Sequence, residues 1–118
     1  MITVNNDGSN GILHTGLSFR VAMVLARENK ARDLTASTIT ARLLTEDGST
    51  QIGDTIQVAG TEEGASFATG KVVVRIPATT TGKATGNAVL MVYETDPAGD
   101  VWGYSVSLRC VRGVPTGV

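Results

Sequence analysis

The sequence predicts an all-β fold, an antiparallel β-sandwich of about seven strands. Three observations carry that expectation. The chain holds 16 Thr and 14 Val beside 14 Gly and only 3 Pro, a mixture suited to strands joined by glycine turns. Apolar residues recur at every second position through most of its length, the period of a strand with one face in a core. Turn signals return roughly every 8–15 residues, the spacing of short strands in a sandwich. With 118 residues there is room for one domain, 1–118, carrying short flexible arms at residues 1–11 and 113–118.

The first long run sets Leu17, Phe19, Val21, Met23 and Leu25 against Ser18, Arg20, Ala22, Val24 and Ala26. Its period favours a strand, although the Ala, Met, Leu, Arg and Glu of residues 17–31 also suit a helix, which would make the fold α+β. A polar loop at 27–32 leads to Ile39, Ala41 and Leu43, which alternate with Thr38, Thr40 and Arg42 as a hairpin partner. Glu46-Asp47-Gly48-Ser49 is a turn, because Asp-Gly accepts the positive φ of a tight reversal. Ile52, Ile56 and Val58 form a more polar strand, read as a sheet edge that could accept a neighbour's arm. Residues 59–70, with Gly60, Glu62, Glu63 and Gly64, read as a crossing loop in which Phe67 alone is buried.

Residues 71–76 put Val72, Val74 and Ile76 on one face and Lys71, Val73 and Arg75 on the other, until Pro77 ends the ladder. Residues 79–86 are a polar connector, and 88–93 are apolar on both faces, as in a central strand. Asp96-Pro97-Ala98-Gly99-Asp100 is a turn. The last run aligns Trp102, Tyr104, Val106, Leu108 and Cys110 on one face. That register assigns Trp102 and Tyr104 to the core and makes Cys110 a small buried hydrophobe.

Composition removes several function classes. A net charge of −1 lacks the basic excess that nucleic-acid binding requires. At 42% hydrophobic and 18% charged, the chain is too apolar for disorder and too interrupted for a membrane span. One cysteine, Cys110, and one histidine, His14, permit neither an internal disulfide nor a His/Cys zinc site. His14 reads as a polar residue in the loop before the first long strand. The start of the chain lacks the charged and apolar regions of a secretory signal, so folding is expected in the cytoplasm of whatever cell makes it.

Catalytic patterns fail on inspection. Gly64-Ala65-Ser66-Phe67-Ala68 lacks the second glycine of a nucleophile elbow. The Gly82-Lys83 pair would need glycine where Pro77 stands and a hydroxyl where Ala84 stands to be a phosphate loop. Asp96, Asp100 and the stretch 7–11 are explained as turns, and Glu62-Glu63 as a solvated pair. The expectation is a protein without catalytic residues, cofactor or metal.

One feature resists a purely structural account: Val24, Leu44, Val73, Met91 and Val111 are apolar on faces assigned to solvent. These five are the candidate interface for another protein.

The order of segments adds a resemblance. Asp33-Leu34-Thr35-Ala36-Ser37-Thr38-Ile39, then Gly70-Lys71-Val72-Val73-Val74-Arg75-Ile76-Pro77, then Gly82 and a strand led by Gly86, resembles the immunoglobulin-like β-sandwich of tailed-phage virion proteins. The similar domains are those at the N-terminus of baseplate upper proteins. Ala36 stands where that family often has glycine. The resemblance implies a non-catalytic structural protein of a phage particle, located in the virion. It would dock on other virion proteins, as a capsid decoration or a tail or baseplate adaptor, and repeat in a symmetric assembly. The rival from the residues themselves is a carbohydrate-binding module that stacks sugars on Trp102 and Tyr104.

Overall fold

The computed structural model describes residues 11–112. They form an all-β protein of nine strand segments, with one helical turn and one 3-10 turn in the connections. The strands are β1 (Ile12–Thr15), β2 (Phe19–Val24), β3 (Ala26–Arg27), β4 (Lys30–Ala31), β5 (Thr38–Thr45), β6 (Gln51–Val58), β7 (Lys71–Ile76), β8 (Ala88–Thr95) and β9 (Val101–Arg112). Five of them make one sheet in the order β1-β9-β8-β5-β6, while β2 pairs with β7 and β3 with β4. The long-range pairs are antiparallel except β1 with β9, which run parallel from Ile12↔Arg109 to Thr15↔Arg112. The expected all-antiparallel arrangement is corrected there: residues 12–15 form an edge strand, and His14 lies in it, not in a loop.

The strand reading of residues 17–31 holds over the helical one. β2 stops at Val24, and residues 26–31 close a tight hairpin through Glu28 and Asn29, both at positive φ (53° and 63°). Two successive positive φ values match the twist of the flanking strands. Gly70 sits behind this hairpin at φ 79°, and a Cβ there would stand 2.8 Å from the carbonyl oxygens of Leu25 and Arg32. No residue with a side chain fits that space.

One core unites the sheets. The inner faces of β2 and β7 supply Phe19, Val21, Val72, Val74 and Ile76, which pack with Ile39, Ala41, Leu43, Leu90, Val92 and Leu108 of the five-stranded sheet. The register puts Ala41 opposite Val92 and Leu43 opposite Leu90, so the inner positions of β5 and β8 coincide across the ladder. The connector at 79–86 is less polar in effect than its sequence suggests. Its helical turn, α1 (Ala78–Thr81), buries Thr80 and Thr81, and Thr81 Oγ1 accepts from Gly16 N at 3.1 Å and donates to Leu17 O at 2.7 Å. Phe67, in a 3-10 turn at Phe67–Thr69, is half-buried against the core.

Segment 59–66 does not simply cross between sheets. It folds back over the outer face of β7, where Arg20 Nη2 donates to Glu63 O at 2.6 Å and Glu62 forms an ion pair with Arg75. Val73 lies beneath it, 2% exposed, with its Cγ2 3.7 Å from where a Gly64 Cβ would stand.

Candidate functional site

Where β8 ends and β9 begins, the five-stranded sheet outruns its cover. β9 spans 12 residues but β2 and β7 only six each, and at this end Arg27, Arg32 and Ser37 of the 26–37 segment reach the inner face. At this tip Glu94 is fully buried. Its carboxylate accepts from Arg32 Nη2 at 2.9 Å and Nε at 3.3 Å, from the Tyr104 hydroxyl at 3.0 Å and from Ser37 Oγ at 3.3 Å. Burial pushes the Glu94 carboxyl upward, but the bonds from Arg32 and Tyr104 and the Arg32 and Arg27 charges outweigh it and hold it below the usual carboxylate range. For Tyr104, burial and the Glu94 acceptor both lift the phenol above its ordinary value.

Next to this network stands Trp102, paired with Glu94 across the ladder. Its indole is 41% exposed, which corrects the expectation of a core residue. The face assignment was right, since Trp102 shares a side with Tyr104 and Leu108, but the covering pair ends short of it. Two contacts fix the ring. The Arg27 guanidinium stacks on it 3.7 Å from the centroid, and Nε1 donates to Asp96 Oδ2 at 3.2 Å. That bond, with backbone N–H donations from Asp100 and Ala98, holds the Asp96 carboxyl below its ordinary value. Arg27 Nε is buried without a hydrogen-bond partner, while its guanidinium stacks on the indole and lies in the field of Glu94 and Asp96.

Within the network the charges of Arg27 and Arg32 offset those of Glu94 and Asp96. Exposed apolar surface accompanies it. Among the described residues the exposed large hydrophobics are Val24, Val101 and Trp102, at 57%, 61% and 41%. All three are at this end: Val24 closes β2 three residues before Arg27, and Val101 opens β9 beside Trp102.

The five expected interface residues are not brought together. Val24 is at the tip, and Val73 is corrected outright, because the folded-back 59–66 segment buries it. Leu44 and Met91 are half-buried neighbours on the outer face of β5 and β8. There the Met91 methyl lies 3.3 Å from where a Gly103 Cβ would stand, so it fills a hollow instead of projecting. Val111 is half-buried far along β9, opposite His14. The arms lie outside the described residues except for Gly11.

Sequence reasoning missed Glu94, Arg27 and Arg32. The available signal was an acidic residue on the inner side of an apolar strand, in phase with Val92 and Leu90. Cys110 is half-buried, with its thiol pushed up by burial, as a small hydrophobe would be. Among the described residues no group of three or more His, Cys, Asp or Glu is placed to hold a metal. Compared with known proteins, the chain matches no family model, no curated protein and no solved structure.

Proposed function

We propose that the chain is a non-catalytic adaptor domain of a tailed-phage particle that docks on another virion protein through its Trp102 tip. The observation that carries the docking reading is an exposed tryptophan held in one orientation by Arg27 and Asp96, with the other exposed large apolar residues among those described, Val24 and Val101, at the same end of their strands. Tryptophan and arginine dominate the energetic centres of protein interfaces, and a ring already fixed loses little entropy on binding. The particle setting rests on the resemblance of the 33–39 and 70–77 segments.

Strand order supports an immunoglobulin-like sandwich as the frame. Across the shared core, β2 and β7 take the places of strands B and E, while β5, β8 and β9 take those of C, F and G, with β6 added beside C as in variable-type domains. In that frame the tip is built from the B–C and F–G loops, the end that antibody variable domains use for recognition. The outer-face patch becomes secondary, and capsid and tail placements are equally served.

The second reading, a carbohydrate-binding module, gains from the open indole, but the Tyr104 hydroxyl is occupied by Glu94. Trp102 is the one tryptophan, so its fluorescence reports the tip directly. The expected result is a spectral shift with purified virion proteins and none with oligosaccharides. In addition, Trp102→Ala combined with Val101→Asp should fold normally and fail to enter particles. A shift with sugars alone supports the module. Normal incorporation of the double variant overturns the docking reading.

A further inference from the structure

A second surface lies along the open side of the β2–β7 pair. The phase of this ladder is fixed at its end, where Leu25 N donates to Gly70 O at 2.8 Å and Lys71 exchanges both of its backbone bonds with Ser66 on the far side. Alternation then turns the backbones of Phe19, Val21 and Met23 toward β7 and those of Arg20, Ala22 and Val24 away from it. Among the described residues no strand pairs with that outward side. It also lacks the usual guards of an edge. The six pairs of β2 run without a register shift, the strand holds no proline, and its one charge, Arg20, is drawn toward the 59–66 segment by Glu63 O. β6, the edge expected from the sequence, is guarded: its register breaks around Gly53, whose carbonyl accepts from Gln51 Nε2 at 3.2 Å and against which Thr80 of α1 packs.

We propose that β2 is a self-association edge, pairing antiparallel with β2 of a second copy of this chain across a two-fold axis at Ala22. A two-fold contact must be complementary to itself, and this register is. It sets Ala22, the smallest side chain of the strand, against its own copy at the axis, and Arg20 against Val24 of the second copy. The two Arg20 residues then stand about 13 Å apart along the sheet, beyond the screening length of about 8 Å, whereas a register with Arg20 opposite Arg20 would set like charges together. Val24, 57% exposed, and half-buried Met23 gain cover, while three residues of each copy bring their outward N–H and C=O groups together. The two pairs become one four-stranded sheet, and the register involves neither Val101 nor Trp102.

The test is amide hydrogen exchange followed by NMR on the whole chain, beside sedimentation velocity. A six-residue edge is smaller than a standard interface, so the dimer is expected to be weak and is followed up to about 1 mM chain. Exchange at Arg20, Ala22 and Val24 should slow as concentration rises, while Val21 and Met23, bonded to β7, stay slow throughout. Ala22→Pro removes the central donor at a place where an edge strand tolerates proline, so this variant should fold and associate at least tenfold more weakly. Val24→Glu should associate at least threefold more tightly than Val24→Lys at low salt, because both meet Arg20 of the second copy, and the gap should close at high salt. The Val24 pair decides if Ala22→Pro fails to fold. Trp102→Ala should leave association unchanged, which separates this result from docking through the tip. Four results would overturn the assignment: a chain that stays monomeric at the highest concentration, undiminished association of folded Ala22→Pro, equal association of the two Val24 variants, or slow exchange at Ala22 already in dilute solution, as when residues 1–10 of the same chain cover the edge.

Discussion

Glu94 ties β8 to two other segments: the loop before β5, through Arg32 and Ser37, and the neighbouring strand β9, through Tyr104. Glu94→Ala would leave their donors facing a buried void, and the expected loss is about 2–4 kcal/mol in urea unfolding. Glu94→Gln should cost less, because it keeps the shape and one acceptor oxygen. Acid should act through the same residue. Glu94, Asp96 and Asp47 all have folded pKa values below their unfolded ones, Asp47 at about 2 through Ser49 and Thr45. A depressed carboxyl stabilises the fold above its unfolded value and ceases to as pH falls through the folded one. The urea midpoint should therefore be flat near neutrality and decline as pH drops below about 4.5. In Glu94→Gln that decline should be shallower. Trp102→Ala, by contrast, removes a half-open ring and one stacked guanidinium, for an expected cost of about 1–2 kcal/mol. Val73→Lys should fail to fold stably, because it places a charge beneath the 59–66 segment.

At the scale of elements, strands with strict alternation were legible in the sequence. Ile39, Ala41 and Leu43 face inward as their spacing requires, and so do Val72, Val74 and Ile76. The misread residues share a physical reason: alternation tells which face a side chain takes, not whether anything covers that face. Trp102 faces inward beyond the end of its cover, and Val73 faces outward beneath a loop. β1 was missed because four residues show too little period, and its pairing spans nearly the whole chain. Turn chemistry decides two further positions. Gly70 is enclosed by backbone oxygens that cannot yield, so Gly70→Ala should cost more than Gly53→Ala. Gly53, at φ 74° in the β5–β6 irregularity, would bring its new methyl to 2.6 Å from the Thr80 side chain, so the short α1 turn that carries Thr80 would have to shift. The expected costs are about 3 kcal/mol or more and about 1–3 kcal/mol respectively, read from melting temperatures.

For the whole molecule, an all-β chain with a single core followed from composition and period. The candidate site did not. Its parts come from residues 24, 27, 32, 94 and 102, which only the folded topology places at one end. The parallel pairing of β1 with β9 has a mechanical consequence. Tension applied through the segment before Ile12 and the segment after Arg112 pulls these adjacent strands past each other along their length. All the hydrogen bonds between Ile12↔Arg109 and Thr15↔Arg112 then bear load at once instead of opening one by one. In single-molecule pulling, the chain should rupture in one step at higher force than when it is held at Ala88 and Leu108, the open end of the β8–β9 hairpin, whose bonds would unzip in succession.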